Sequence, residues 1–263
     1  MTSALCLSLA AIVPVFLAAR DELALTILFD NNPTERDLEA EWGFSCLITG
    51  AEKVILFDCG GDGAVLMRNM KKLRVDPQSI DIVVLSHAHG DHTGGLGAVL
   101  QRHPRVTVYL LQSFPRRIKD QVTQAGATLR EVREPIEICR DVYSTGEQGF
   151  AIKEQALAIR TRQGTVVVTG CAHPGIVKIV RRAQTVVPGD VHLALGGFHL
   201  CSASRSRISK IVSQLRELGL HKAAPCHCSG QTARELFAQA YGHDYISVGV
   251  GSTIRLEPRS ERD

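Results

Sequence analysis

The stretch Val84-Leu85-Ser86-His87-Ala88-His89-Gly90-Asp91-His92-Thr93-Gly94-Gly95 crowds His87, His89, Asp91 and His92 into one loop between an apolar run and a Gly-Gly pair. Imidazole nitrogen and carboxylate oxygen are donors that zinc and similar ions take, and catalytic sites leave a position open for water. Asp81 to Ser86 reads as a short strand rich in β-branched residues, and Thr93 to Arg102 as a helix. An irregular loop between them can turn alternate side chains toward one point. A lone His-x-His often arises by chance; this set, directly behind a buried strand, points to a metal site.

Outward from the loop, strands and helices alternate. Leu23 onward reads as a buried strand ending in the turn residues Asp30-Asn31-Asn32-Pro33. Phe44 to Thr49 and Val54 to Phe57 flank Gly50-Ala51-Glu52-Lys53 as a hairpin. Helices are expected over Ala64 to Leu73, Ile176 to Ala183, Ser204 to Leu218 and Thr232 to Ala240, and strands over Val106 to Leu111, Thr165 to Thr169 and Val191 to Leu195. Tyr245 to Val250 and Ser252 to Leu256 close the chain as strands; Ser113 to Ile159 is the least legible part. Units of strand, loop and helix recur around His87, His173, His199 and His227, each with histidine at the strand's C-terminal end, where loops converge to build ligand sites.

At 263 residues and 44% hydrophobic content, the chain can bury a large core without a metal or disulfide staple, so a metal site here serves chemistry. A formal charge of +3, with no dense Lys/Arg block and only 5% aromatic residues, argues against nucleic acid as a partner and suits a small anionic substrate. The eight cysteines form no regular framework. Cys46, Cys59 and Cys139 read as small buried hydrophobes; Cys171, Cys226 and Cys228 flank histidines. If the segment around His227 is extended, both Cys226 and Cys228 face away from it. Gly95-Leu96-Gly97 lacks the last glycine of a dinucleotide fingerprint, and no Walker lysine motif occurs.

Residues 1–22 form an N-terminal extension or a signal segment. Ala4 to Ala19 is nearly all apolar and Phe16-Leu17-Ala18-Ala19 suits a cleavage site, yet no basic residue precedes the run and Pro14 interrupts it. The run is short of the ~20 residues of a permanent span. Two locations stay open: cytoplasmic, or exported if residues 1–19 are a cleaved signal. Residues 23–263 are expected to form one domain.

The histidine stretch resembles the signature of the metallo-β-lactamase superfamily. Asp30-Asn31-Asn32, Gly43-Phe44-Ser45, Leu56-Phe57-Asp58, Gly170-Cys171-Ala172-His173-Pro174-Gly175, Gly196-Gly197-Phe198-His199 and Pro225-Cys226-His227-Cys228-Ser229-Gly230 are similar to the branch that contains the dihydropterin-methyl-(ribofuranosyl)aminobenzene 5′-phosphate synthases. The resemblance implies a four-layer αββα sandwich with one or two divalent ions at one edge, zinc first, with manganese or iron as alternatives. It implies His87 and His89 in a first site with a third histidine, best matched by His173, and Asp91, His92 and His227 in a second. Where the superfamily carries a bridging Asp, this chain has Cys171, which either ligates as thiolate or lines the pocket. His199 and Glu147 are further candidates for the metal or the pocket wall. Asp91 is the expected catalytic residue. The expected reaction is hydrolysis of an ester, lactone, amide or phosphate ester by metal-activated water. The alternatives are transfer of a dihydropterin-methyl group from its diphosphate to an aminobenzene ribofuranosyl phosphate, and a non-catalytic metal-binding module.

Overall fold

Alternation along the strands sorts their apolar side chains into separate layers. In the computed structural model, residues 22–258 are described; residues 1–21, on which the expectation of a signal segment falls, lie outside them. The first sheet contains β1 (Leu23–Phe29), β2 (Ser45–Thr49), β3 (Ile55–Phe57), β4 (Ile82–Val84), β5 (Thr107–Leu111), β6 (Thr128–Val132) and, last in the chain, β13 (Thr253–Leu256). Their order is β13-β1-β2-β3-β4-β5-β6. The second contains β7 (Ile136–Cys139), β8 (Val142–Ser144), β9 (Leu157–Thr161), β10 (Gly164–Thr169), β11 (Val191–Gly197) and β12 (Lys222–Cys226), in the order β12-β11-β10-β9-β8-β7.

Ile55, Phe57, Ile82 and Val84 of the first sheet meet Val166, Val168, Leu193 and Leu195 of the second in the layer between the sheets. Leu56 and Val83 point the other way, into a layer closed by α1 (Gly63–Lys72), α3 (Leu96–Arg102) and α4 (Arg116–Gln124). Val167 and Ala194 likewise face α5 (Ile176–Val186), α6 (Arg205–Glu217) and α7 (Gln231–Tyr241). Strands covered on both faces are apolar throughout, as Ile82-Val83-Val84 is. The result is the αββα sandwich. Parallel pairing of β3 through β6 and of β10 through β12 aligns their C-terminal ends, so the loops that follow gather at one edge. Among the described residues, no helix is long and apolar enough to cross a membrane.

Two elements differ from the sequence expectation. The helix expected over Thr93 to Arg102 is two pieces, α2 (Gly90–Thr93) and α3. Between them, Gly95 N donates to Gly60 O (3.3 Å), and Cys59 N donates to His92 O (2.8 Å), so the chain after β3 clamps the histidine loop from beneath. A Cβ at Gly94 would lie 2.0 Å from Gly61 O, and one at Gly95 2.1 Å from Cys59 O. Tyr245 to Val250 is not a strand. Ile246 N donates to Ala223 O in the second sheet, while Val250 N donates to Asn32 O beside the first. A segment that spans from one sheet's edge to the other cannot ladder with either.

The clamp predicts that Gly94→Ala lowers stability by about 1–3 kcal/mol through overpacking against backbone. Urea denaturation measures it; an unchanged midpoint would show that the loop has room to move.

A candidate metal centre at the strand ends

His87 and His89 lie in the extended stretch after β4, two residues apart, so both turn to one side. Asp91 and His92 follow in the single turn of α2. His173 comes from the loop after β10, and His227 from the 3-10 turn His227–Ser229 after β12. The structure brings these together in two abutting sets: His87, His89 and His173, and Asp91, His92, His227 and Cys171, with the donor atoms of each set within 4.8 Å of one another.

In the first set the ring centroids stand 4.6, 4.7 and 4.9 Å apart, a nearly equal triangle. In the second, His92 Nε2 is 3.2 Å from Cys171 Sγ and 3.6 Å from Asp91 Oδ2, and His227 Nε2 is 3.3 Å from that same oxygen. Donors bound to one tetrahedral ion at ~2.0–2.3 Å stand ~3.3–3.8 Å apart. The sets touch, since the His87 and His92 rings are 4.2 Å apart.

Each of four imidazoles is held by its Nδ1. His87 Nδ1 meets Ser86 Oγ (2.9 Å), His92 Nδ1 meets Asp58 Oδ2 (2.6 Å), His173 Nδ1 meets Glu154 Oε2 (2.9 Å), and His227 Nδ1 meets Asn31 Oδ1 (2.9 Å). That leaves Nε2 of each to face the site. His87 Nε2 is buried without any hydrogen-bond partner, and the group near the buried His227 Nε2 is Asp91 Oδ2. An orphaned buried nitrogen is costly in a native protein unless something binds it, and an imidazole anchored through its other nitrogen is the usual form of a metal ligand. The residues present therefore fit a metal ion. Burial holds His87 and His92 down to about 3, so both rings are neutral, the ligating form.

The anchoring carboxylates are the residues the sequence reading missed. Asp58 is fully buried at the end of β3 and accepts from Ser86 N (2.7 Å) and Ser86 Oγ (2.6 Å); burial pushes its carboxyl up to about 7. Glu154, also fully buried, accepts from Cys171 N, Ala172 N and His173 N, each at 2.8 Å. Burial acts to raise it, yet hydrogen bonds from His173 and the neighbouring backbone, with the His87 imidazole, hold it at about 2. Asp58 was visible only as part of a motif. Glu154, in Ala-Ile-Lys-Glu-Gln, looks like any exposed glutamate. Trp42 was missed too: half exposed, it donates from Nε1 to Asp91 Oδ2 (3.0 Å) and sets its ring 4.9 Å from that of His227.

The remaining candidates separate. Glu147 belongs to none of the donor sets among the described residues; its Oε1 accepts from Ser113 N (2.8 Å), which turns it toward a loop and away from the site. His199 is exposed, with its ring 4.5 Å from that of His173. Cys226 faces the layer between the sheets, as expected. Cys228 does not face away: its Sγ lies 3.3 Å from Cys171 Sγ, because the 3-10 turn replaces the extended segment and breaks its alternation.

Residues 43–147 match the family model of the metallo-β-lactamase superfamily. Among solved structures, the chain is similar to Tm1679, a metal-dependent hydrolase of the β-lactamase superfamily, with TM-score 0.75 and 26% identity over 89% of this chain and 99% of that one. This chain has the metallo-β-lactamase fold. The fold protein YhfI from Bacillus subtilis has the same architecture at 15% identity, with TM-score 0.66 over 89% of this chain and 99% of its own. Among curated proteins the chain resembles the 7,8-dihydropterin-6-methyl-4-(beta-D-ribofuranosyl)-aminobenzene-5′-phosphate synthase of Methanocaldococcus jannaschii, 28% identical over 82% of this chain and 90% of that protein. Of these relatives, one carries the name of a hydrolase and one that of a synthase.

Two predictions follow from this geometry. Trp42 is the chain's single tryptophan, so titrating chelator-treated protein with zinc should change its fluorescence to saturation; an unchanged signal would detach Asp91 from metal. Glu154→Gln presents an amide NH2 where an oxygen accepts, and should weaken metal binding by roughly 10–100-fold. Competition with a chromophoric chelator reads this directly.

Proposed function

We propose that the protein is a metal-dependent hydrolase of a small anionic substrate carrying an ester, lactone, amide or phosphate-ester bond. The observation that carries this reading is the pair of abutting donor sets, with the His87 Nε2 nitrogen buried and unpartnered. His87, His89 and His173 would hold one ion, and Asp91, His92 and His227, with Cys171, a second. Zinc suits imidazole and thiolate better than manganese or magnesium does. Such ions acidify water and polarise the carbonyl or phosphoryl oxygen under attack.

The protein's own part is orientation. Asp91 is partly exposed, with one oxygen held by Trp42, so it would both ligate and position the attacking water. A cleft of about 690 Å³ opens beside His173 and His199 and is lined by Phe150 and Lys178. Lys178 offers a cation to the substrate's anionic group.

Transfer is the second reading, supported by the likeness to a synthase along most of both chains. Fold alone does not choose between the two. Reaction in ¹⁸O-water separates them: hydrolysis places the label in a product with no second organic substrate present. Turnover that requires an amine acceptor and leaves the products unlabelled overturns the hydrolase reading.

Asp91→Ala should lower kcat/KM by about 10²–10⁴-fold and weaken one metal, with the far-ultraviolet circular dichroism unchanged. An unfolded variant would mean that the site holds the fold rather than the chemistry.

A further inference from the structure

Cys171 and Cys228 stand apart from the other buried cysteines. Cys59 packs in the layer under α1 and α3, and Cys46 and Cys226 pack between the sheets. Neither Cys171 nor Cys228 belongs to an apolar cluster, although both are 3% exposed. Their sulfurs face each other at 3.3 Å, and His199 completes a set whose donor atoms all lie within 4.8 Å. The backbone makes room for this. A Cβ at Gly197 would stand 2.7 Å from Cys228 Sγ. Ala172 and His199, each beside a member of the set or within it, hold φ of +58° and +52°, a region that costs a non-glycine residue energy.

The sulfur separation is far beyond the ~2.05 Å of a disulfide and matches the ~3.3–3.8 Å spacing of donors around one tetrahedral ion. Two thiols and an imidazole, with one member exposed, leave a coordination position open. We propose that Cys171, Cys228 and His199 form a sulfur-rich binding site for a thiophilic ion of the zinc and cadmium class, with Cys171 shared between it and the Asp91, His92 and His227 set. Binding converts the two thiols to thiolates and releases their protons to solvent; no oxidant enters. The site rests on the metal-centre reading only through Cys171, because Cys228 and His199 have no part in that reading's ligand sets. The binuclear site alone would take its sulfur from Cys171; this site adds a second.

Cobalt reports the sulfur count, since only a bound thiolate gives sulfur-to-cobalt charge-transfer absorption in the near ultraviolet. The full chain, stripped with chelator and kept under reductant, is titrated with cobalt and separately with cadmium. Wild type should show the absorption, Cys228→Ser should lose roughly half of it, and Cys171→Ser/Cys228→Ser all of it. Wild type should also bind more cadmium per chain than Cys228→Ser does. If Cys228→Ser fails to fold, wild type still answers: Cys228 should be alkylated in the stripped protein and protected by cadmium, as mapped by peptide mass. A Cys228→Ser spectrum equal to that of wild type, an unprotected Cys228, or a Cys171–Cys228 disulfide that persists under reductant overturns the proposal. Cobalt bound without sulfur absorption sinks this site and leaves the histidine sets standing. No cobalt bound at all sinks both.

Discussion

A carboxylate removed from water must be met by hydrogen bonds or lose its charge, because an uncompensated buried ion costs several kcal/mol. Asp58 and Glu154 are both fully buried, and among the described residues neither forms an ion pair with Lys or Arg. What meets them is the strand-end loops themselves. Glu154 gathers three successive backbone N–H groups from Cys171 to His173 and then the His173 ring. Asp58 takes the backbone and hydroxyl of Ser86 and the ring of His92. Each loop therefore folds around a carboxylate, and each carboxylate fixes an imidazole with Nε2 turned inward. His92 and His173 take their orientation from satisfying these two buried groups, as His87 and His227 take theirs from Ser86 and Asn31.

The chemistry then divides into a part common to the fold and a part particular to this chain. Two relatives of similar identity carry the names of different reactions, a hydrolase at 26% and a synthase at 28%. What both could share is an edge of converging strand ends, so the reaction must be set by what surrounds the candidate metal centre. Here that surround is a tryptophan on Asp91, a fully exposed Phe150, a lysine in the adjoining cleft, and sulfur where the superfamily pattern has a carboxylate. Under the proposed reading, a thiolate at Cys171 in place of a carboxylate would make the second set softer and bias it against magnesium and manganese.

How much of this was legible in the sequence depended on whether a residue's role is local. The histidine loop was legible because its donors are neighbours in the chain and follow an apolar strand. The layers were legible because burial on both faces leaves runs such as Ile82-Val83-Val84. Glu154 was not, since its partners lie 17 to 19 residues away and nothing in its own surroundings marks it as buried. Cys228 was misread because alternation holds only for extended chain, and three residues of 3-10 turn reverse the direction of its sulfur. Tyr245 to Val250 has strand composition, but its hydrogen bonds are divided between two sheets, a property of the assembled sandwich that no local pattern carries.

The same strand ends hold most of the left-handed backbone among non-glycine residues. Asp58 after β3, Ala172 after β10, His199 after β11 and His227 after β12 have φ between +47° and +59°. Each costs ~1–3 kcal/mol relative to relaxed backbone and persists only where its surroundings over-determine it. Glycine would relieve the strain but would remove the carboxylate at 58 and the imidazoles at 199 and 227, and at these positions the side chain is what the site requires. The turn is needed as well, because it is what swings His227 toward Asp91 and Asp58 toward His92 directly after a strand has ended. At Asp58, His199 and His227 the strain falls where a side chain aimed at the site and an abrupt change of direction coincide. Three apolar layers, one between the sheets and one beneath the helices on each outer face, supply the stability against which that strain is held.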